Sequence, residues 1–212
     1  MKTAGIILCG GKSSRMGRPK AWLPFGEEVL LQRVVRILQT IFEPIVVVAA
    51  PNQALPALSD SVIVARDDCE FLGPLNGLAV GLAVLQGRAE VAYLSSCDVP
   101  FLKTDFAARV VDRLADASIC MPDFGGFKHP LAAVYRVDVL PVVRELIDAG
   151  KLRTMFLTER VPTRFVVAED FADIDPGMVS LRNVNTPEEY EETVRASNHE
   201  TASQSRAHGA AE

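Results

Sequence analysis

The sequence predicts an α/β fold, a single three-layer, doubly wound domain around a mainly parallel sheet. Three observations support this prediction. Short apolar runs alternate with amphipathic stretches along the chain, as in strand–helix–strand units. Several runs are continuously β-branched instead of alternating with polar residues, which indicates strands that are covered on both faces. The length of 212 residues suits one domain.

The first half of the chain supplies three strands and one clear helix. Residues 5–8 predict a buried first strand, which leads into a glycine-rich loop from Cys9 to Pro19. Apolar residues recur at helical spacing over 29–41 with polar residues between them, which predicts an amphipathic helix. Two further apolar runs then predict strands at 45–48, just after Pro44, and at 61–64.

The second half continues the alternation. A Gly/Ala/Leu-rich stretch over 73–86 predicts a tightly packed helix, and a strand follows at 91–96. A helix is expected over 103–116, with its N-cap at Thr104-Asp105. Further strands are predicted at 117–121, 130–135 and 164–168, and further helices at 138–149 and 187–195.

This alternation implies right-handed crossovers, and ligands of such sheets bind beyond the carboxyl ends of the strands. We expect one domain over residues 1–196. The segment 197–212 carries almost no large apolar side chain, so we expect it to be a disordered tail.

Composition excludes several classes of protein. The net charge is −5, from 22 Lys and Arg against 27 Asp and Glu, which argues against a general nucleic-acid binder. No apolar run approaches the ~20 residues that cross a bilayer, and the N-terminus lacks the pattern of a signal peptide. We therefore expect a cytoplasmic protein that binds neither membrane nor nucleic acid. The four widely spaced cysteines, at 9, 69, 97 and 120, are expected to be buried reduced thiols, not zinc ligands or disulfides.

The segment from Leu8 to Lys20, which contains the glycine-rich loop, has the composition of a phosphate-binding loop. The paired glycines Gly10 and Gly11 allow the backbone to approach a ligand and to turn its N–H groups toward phosphate oxygens. Arg15, Arg18 and Lys20 add three cations, which would offset the charge of a triphosphate. On these residues alone, a glycine turn with solvated surface charges remains the alternative.

Two familiar phosphate loops do not fit. Gly10-Gly11-Lys12-Ser13 resembles the end of a Walker A loop, but Ile6 occupies the position of its first glycine. The Rossmann pattern G-x-G-x-x-G fails because Gly10 and Gly11 are adjacent and Met16 precedes the next glycine. A P-loop ATPase and a dehydrogenase are therefore both disfavoured.

Acidic residues follow two of the predicted strands. Asp98 comes just after the strand at 91–96, and a carboxylate at that edge, facing a phosphate loop, is an oxygen ligand that suits Mg²⁺. Its alternative role is a helix N-cap, but Val99-Pro100 intervenes and Thr104 is better placed. Asp67 and Asp68 follow the strand at 61–64, where charge alone would indicate only a solvated turn.

Four segments together resemble the MobA-like nucleotidyltransferases and, within that superfamily, the molybdenum cofactor guanylyltransferases. The loop matches the pattern L-x-G-G-x-S-x-R-M-G-x-x-K, and Ser96-Cys97-Asp98-Val99-Pro100-Phe101 matches the metal-binding segment. Residues 73–77 resemble G-P-L-x-G, and residues 183–189 match N-V-N-T-P-E-E. The resemblance extends in order from Ala4 to about Val194.

This resemblance implies a mixed sheet of the nucleotide-diphospho-sugar-transferase type and transfer of GMP from Mg-GTP to molybdenum-molybdopterin. It implies Mg²⁺ bound by Asp98 and catalytic roles for Arg15, Lys20 and Asp98. It places segments 129–131 and 152–157 on the acceptor side, and implies molybdopterin-delivering and molybdoenzyme-maturation proteins as partners. The implied nucleotide-binding residues are Leu8, Cys9, Gly10, Gly11, Lys20, Asp67 (or Asp68 if the alignment slips by one) and Asp98.

Several points stay open at this level. Either Asn183 or Asn185 could face the metal, while Thr186, Pro187 and Glu189 also form an ordinary helix start with a capping box. The family often carries an asparagine near the base where this chain has Ala49-Ala50-Pro51-Asn52, so Asn52 substitutes or guanine is recognised otherwise. The alternatives are a molybdopterin cytidylyltransferase, a sugar-1-phosphate nucleotidyltransferase, or a non-catalytic nucleotide-sensing protein on the same fold.

Overall fold

The structure is a computed structural model that describes residues 1–10, 16–67 and 73–208, with side chains to residue 197. Within these ranges an eight-stranded mixed sheet forms the centre, in the order β10-β7-β9-β6-β1-β4-β5, with β8 paired to β7. Its strands are β1 Thr3–Leu8, β4 Ile45–Ala49, β5 Val62–Arg66, β6 Val91–Ser96, β7 Ile119–Phe124, β8 Phe127–Lys128, β9 Ala132–Arg136 and β10 Thr163–Val166. A small antiparallel hairpin, β2 Pro24–Phe25 and β3 Glu28–Val29, stands apart from it.

Helices cover both faces of the sheet. They are α1 Leu30–Gln39, α2 Pro74–Leu85, α3 Thr104–Asp112, α4 Leu140–Asp148, α5 Met155–Thr158 and α6 Pro187–His208. Alternate residues of β1 point to opposite sides: Ile7 packs in a core with α1 and α3, whereas Ile6 packs in a second core with α2 and α4. The predicted three-layer, doubly wound architecture is confirmed.

Strand direction places one set of strand ends at a common edge. β1 pairs in parallel with β4 and β6, and β5 pairs in parallel with β4. Among the described residues of the central sheet, only the pairs that involve β9 or β8 are antiparallel, and they make this sheet mixed. Cys9, Ala50, Asp67 and Cys97 follow the ends of β1, β4, β5 and β6, so they lie at the same edge.

Helix α2, which the sequence predicts to be tightly packed, lies very close to the sheet. A Cβ built on Gly81 would lie 2.7 Å from Ile6 Cδ1, and one on Gly77 would lie 3.0 Å from Leu8 Cδ2. Without a Cβ at these positions α2 lies close to β1, whereas a Cβ would require the Ile6 and Leu8 side chains to shift. The start of α2 is thereby held at the edge that carries the predicted site.

Some boundaries differ from those that the sequence predicts. The N-cap of α3 is Lys103 in extended conformation, not Thr104 or Asp105, because Thr104 is already the first helical residue. The helix ends at Asp112, soon before Ala115 adopts φ 50, in the left-handed region. The strand predicted at 117–121 starts at Ile119 and continues to Phe124, where it enters the hairpin with β8.

The carboxyl-terminal helix is longer than predicted. α6 begins at Pro187, as expected, but its backbone is helical to His208, beyond the start of the segment that we predict to be a disordered tail. The order of residues 197–212 in solution stays a prediction. In the part of the chain that the structure covers, we find no helix with the length and apolar character of a membrane span.

Candidate functional site

The glycine loop starts between two parallel strands. Cys9 donates its backbone N–H to Val48 O of β4 at 3.0 Å, and Leu8 O accepts the N–H of Cys97 at 3.1 Å. Gly10 lies against the end of β4, where a Cβ on it would be 3.4 Å from Ala50 N. The residues predicted to bind nucleotide, Leu8, Cys9 and Gly10, therefore sit at the ligand-binding edge of the sheet. Gly11 and Arg15 lie outside the described residues, and Arg18 is exposed.

Asp98 lies two residues beyond β6 at the same edge. Its backbone carbonyl accepts a hydrogen bond from Val184 N at 3.0 Å, so the segment before α6 is tied to it. Its side chain is 10% exposed, and Oδ2 lies 2.6 Å from Lys20 Nζ. Oδ1 is buried and has no hydrogen-bond partner among the described residues. A nearly buried carboxylate with one unsatisfied oxygen needs a further positive or donating group.

Lys20 links three distant parts of the chain. It starts a short 3₁₀ helix, Lys20–Trp22, after the glycine loop. Its Nζ donates to Asp98 Oδ2 at 2.6 Å and to Asn185 Oδ1 at 2.8 Å. The structure thus brings Asn185 to the predicted catalytic pair, whereas Asn183 is exposed. The sequence alone does not choose between Asn183 and Asn185, although its N-V-N-T-P-E-E segment points to both.

The start of α6 holds Asn185 in place. Thr186 Oγ1 accepts the N–H of Glu189 at 3.2 Å, as in a capping box. In return, Glu189 Oε2 accepts a hydrogen bond from the N–H of Asn185 at 2.7 Å. In a standard capping box the donor would be the N–H of the next residue, Thr186. Val184 beside it is buried. The predicted helix start is therefore also the device that positions the Asn185 amide.

Asp67 and the start of α2 form the other end of the site. Asp67 N donates to Ala49 O at 2.9 Å, and Asp67 Oδ1 accepts from Asn76 Nδ2 at 2.6 Å. Asn76 belongs to the G-P-L-x-G segment, so this contact joins two segments that the resemblance assigns to the nucleotide. A Cβ on Gly73 would lie 3.6 Å from Leu152 O, which brings the 152–157 segment next to them. Asp68 is outside the described residues.

In the stretch where the family often carries an asparagine, Gln53 is the residue whose side chain reaches the glycine loop. Asn52 is exposed, whereas Gln53 is half-buried and contacts the glycine loop. Sequence reasoning did not select Gln53, and its single signal was its place just after β4.

The two thiols beside the site are buried, and burial disfavours their reactive thiolate form. Burial raises the pKa of Cys9 to about 12, and the nearby Arg66 offsets this only in part. Burial, followed by the charge of Asp98, raises the pKa of Cys97 well above its ordinary value. Both groups stay neutral thiols near pH 7, and a thiolate is the reactive form. The predicted buried, reduced state of Cys9, Cys97 and Cys120 agrees with the structure, and Cys69 lies outside it.

The oxygen atoms around Lys20 suit a hard divalent cation. Asp98 Oδ2 and Asn185 Oδ1 already converge on one ammonium group, and Asp98 Oδ1 is unsatisfied among the described residues. Carboxylate and amide oxygens are ligands that Mg²⁺ accepts. Groups of three or more His, Cys, Asp or Glu that could hold a metal are not found in the described ranges. An Mg²⁺ at Asp98 would therefore complete its shell with phosphate oxygens and water, as Mg²⁺ usually does beside a nucleotide.

Comparison with known proteins agrees with this geometry. The sequence model of the MobA-like NTP transferase domain matches residues 5–163. A relative from Mycobacterium ulcerans (strain Agy99), named probable molybdenum cofactor guanylyltransferase, is 36% identical over 197 residues, which cover 91% of this chain and 93% of the relative.

Two solved structures share the fold. Molybdopterin-guanine dinucleotide biosynthesis protein A from Archaeoglobus fulgidus is 18% identical with a TM-score of 0.73, covering 94% of this chain and all (100%) of that one. A Mycobacterium tuberculosis H37Rv protein, solved in complex with manganese, is 21% identical with a TM-score of 0.62, covering 79% of this chain and 88% of that one.

The matched domain and the relative make this chain a nucleotidyltransferase, and its mixed, doubly wound sheet is the fold of the nucleotide-diphospho-sugar-transferase type that the sequence predicts. The match over most of the chain identifies it further. This chain belongs to the family of the MobA-like NTP transferase domain.

Proposed function

We propose that this chain transfers GMP from Mg-GTP to molybdenum-loaded molybdopterin, which yields the guanine dinucleotide form of the molybdenum cofactor and pyrophosphate. The family and the name of the Mycobacterium ulcerans relative, which aligns over nearly the whole chain, support this reaction. The observation that carries it is the convergence of Lys20, Asp98 and Asn185 from three distant segments at the ligand-binding edge.

The reaction is a direct displacement at phosphorus. An oxygen of the acceptor's terminal phosphate forms a bond to the α-phosphorus of GTP, while the bond to the β-phosphate oxygen breaks and pyrophosphate leaves. A phosphate monoester is already a nucleophile, so no covalent enzyme intermediate is needed. The chain therefore has to position two anions and reduce the repulsion between them.

The described residues suit these tasks. Lys20 would stabilise the negative charge that develops on the α-phosphate and the leaving pyrophosphate, with Asp98 and Asn185 fixing its ammonium group. Backbone N–H groups that start at Gly10 would bind phosphate oxygens, and Asp67 would bind the nucleotide while Asn76 orients its carboxylate. Arg15 is proposed as a second cation. When bound at Asp98, Mg²⁺ would neutralise phosphate charge and orient the phosphates.

The test is pyrophosphate release from GTP in the presence of molybdenum-loaded molybdopterin. Asp98→Asn should reduce release by at least about 100-fold, since a charge-stabilising group at such a site contributes a factor of this size. Asp175→Asn is the matched control, because Asp175 is also a buried aspartate paired with a lysine, but its partner Lys103 lies outside the site. Comparable release by wild type and Asp98→Asn would reject the proposal.

Nucleotide preference separates the related functions. Mg-GTP should raise the melting temperature more than Mg-CTP or Mg-UTP, since selective binding stabilises the native state. A larger shift with CTP would indicate a molybdopterin cytidylyltransferase, and one with UTP a sugar-1-phosphate nucleotidyltransferase. Binding of GTP without pyrophosphate release, acceptor present, would indicate a nucleotide sensor. We further propose that the chain acts in the cytoplasm, with molybdopterin-delivering and molybdoenzyme-maturation proteins as its partners.

A further inference from the structure

The side chain of Gln53 joins two backbone segments of the site. Its Nε2 donates to Cys9 O at 2.9 Å, and its Oε1 accepts from Ala50 N at 3.1 Å. One planar amide therefore holds both the start of the glycine loop and the first residue beyond β4.

The bond to Cys9 O has a consequence for the next residue. The carbonyl of Cys9 and the N–H of Gly10 belong to one planar trans peptide unit, so they point in opposite directions. A group that fixes the Cys9 carbonyl also fixes the direction of the Gly10 N–H. If this peptide turned over, a carbonyl oxygen would take the place of the N–H and would repel a phosphate.

The loop that carries Gln53 is itself restrained. Gln53 N donates to Ala50 O at 3.2 Å, which closes a tight turn. Arg66 Nη1 donates to Ala50 O at 3.1 Å and to Gln53 O at 2.6 Å. The Gln53 amide is thus presented from a fixed backbone, which is the condition for preorganising a binding group.

We infer that Gln53 is a positioning residue for nucleotide binding, acting through the Cys9–Gly10 peptide without contact to the reacting atoms. This inference rests on the proposed function in one respect, namely that Gly10 N–H meets a nucleotide phosphate. The orientation of the peptide itself does not depend on it.

Gln53→Met tests the inference, because it keeps the shape of the side chain and removes both hydrogen bonds. The matched control is Gln32→Met. Gln32 also accepts a backbone N–H through Oε1, from Val29 at 3.3 Å, and donates through Nε2 to a carbonyl of the loop after β4, Ala57 O at 2.9 Å. Neither of these hydrogen bonds involves Cys9 or Gly10, so Gln32→Met measures the effect of loosening this loop alone.

Two measurements distinguish positioning from general stability. Gln53→Met should raise KM for GTP about three- to tenfold, the effect of one hydrogen bond, with KM for the acceptor unchanged. In the nucleotide-free protein the NMR signal of the Gly10 amide should shift and its hydrogen exchange should accelerate. Gln32→Met should leave both unchanged.

The outcomes are separable. An unmoved Gly10 signal together with an unchanged KM for GTP in Gln53→Met would overturn the inference, as would equal effects of Gln32→Met. If wild type neither binds nor turns over GTP, the proposed function fails, and the Gly10 signal still decides the role of Gln53. Should Gln53→Met not fold, Gln53→Ala provides the same comparison with a smaller side chain.

Discussion

Replacement of Lys20 by methionine is the most informative perturbation of the site. Methionine keeps most of the side-chain volume but removes the ammonium that lies 2.6 Å from Asp98 Oδ2 and 2.8 Å from Asn185 Oδ1. Asp98 would then remain as a carboxylate whose Oδ1 already lacks a partner among the described residues. The variant therefore leaves a nearly buried negative charge uncompensated.

The magnitude follows from the geometry. At 2.6 Å and an effective dielectric constant of ~20, the gross attraction of the pair is about 6 kcal/mol. Desolvation of both groups offsets much of this, and removal of one partner of a buried pair typically costs 3–5 kcal/mol. Since the side chains of Lys20 and Asp98 keep 18% and 10% of their exposure, we expect a loss of about 2–4 kcal/mol.

Three measurements follow. Urea unfolding of Lys20→Met without metal should show this loss of stability. Adding Mg²⁺ should stabilise the variant more than wild type, because Asp98 has lost its ammonium partner and a metal ion bound there in the native state would replace that positive charge. Turnover should fall about 30- to 900-fold, which corresponds to ~2–4 kcal/mol of lost transition-state stabilisation.

Lys103→Met supplies the control. Lys103 also pairs with a buried aspartate, Asp175, at 3.1 Å, but its side chain is 43% exposed. Asp175 keeps two backbone donors, Val179 N and Ser180 N. Lys103→Met should therefore lower the free energy of unfolding by about 1 kcal/mol or less, keep the wild-type turnover and respond to Mg²⁺ no more than wild type does. Lys20→Met with a wild-type urea midpoint and turnover within threefold of wild type would refute the reasoning.

Three further predictions concern other parts of the chain. Tyr93 and Tyr135 are both fully buried, but Tyr135 OH donates to Pro130 O whereas Tyr93 OH has no partner among the described residues. In urea unfolding, Tyr135→Phe should therefore lower the free energy of unfolding by about 1 kcal/mol, and Tyr93→Phe should leave it unchanged. Burial opposes ionisation of Asp175, but its hydrogen bonds with Ser180 and its pairing with Lys103 outweigh burial and lower its pKa. The stability that ionised Asp175 contributes is complete above the pKa of the unfolded chain and is lost as the pH falls through the lower pKa of the folded protein. Asp175→Asn should therefore reduce the loss of stability that the wild type shows on acidification below about pH 4. Thr186→Ala should cost α6 about 1 kcal/mol and, by loosening Asn185, lower kcat in a pyrophosphate assay. The control is Thr40→Ala, which removes the hydrogen bond from Thr40 Oγ1 to Ile37 O at the end of α1 and should leave kcat unchanged.

The central strands could be predicted because their signal is local. A strand buried on both faces requires a continuous apolar run, and β1, β4 and β6 all carry one. The direction of β9 could not be predicted, because an apolar run has the same composition in parallel and antiparallel pairing. The hairpin of β7 and β8 had a signal, Gly125-Gly126 between two phenylalanines, and both glycines adopt positive φ.

The candidate site also has residues that the sequence predicts and residues that it does not. The glycine loop and Asp98 could be found because each follows an apolar strand, and parallel strands bring their carboxyl ends to one edge. The contact between Lys20 and Asn185 spans 165 positions, and no periodicity reports a contact of that separation. Gln53 was missed because its role depends on the turn conformation after β4, which brings its amide to Cys9.

The segment before α6 shows why the site needs the whole chain. The matched domain ends at residue 163, yet Asn185 reaches Lys20 and Val184 N bonds to Asp98 O. The two contacts act on the same pair, one on the backbone of Asp98 and one on the ammonium that its side chain holds. Without this segment Lys20 would lose one of its oxygen acceptors and Asp98 its backbone anchor, although the parallel strands that carry the glycine loop would remain. The carboxyl-terminal segment therefore fixes the Lys20–Asp98 pair to which we assign the catalytic role, while the amino-terminal strands build the surface on which a nucleotide would lie.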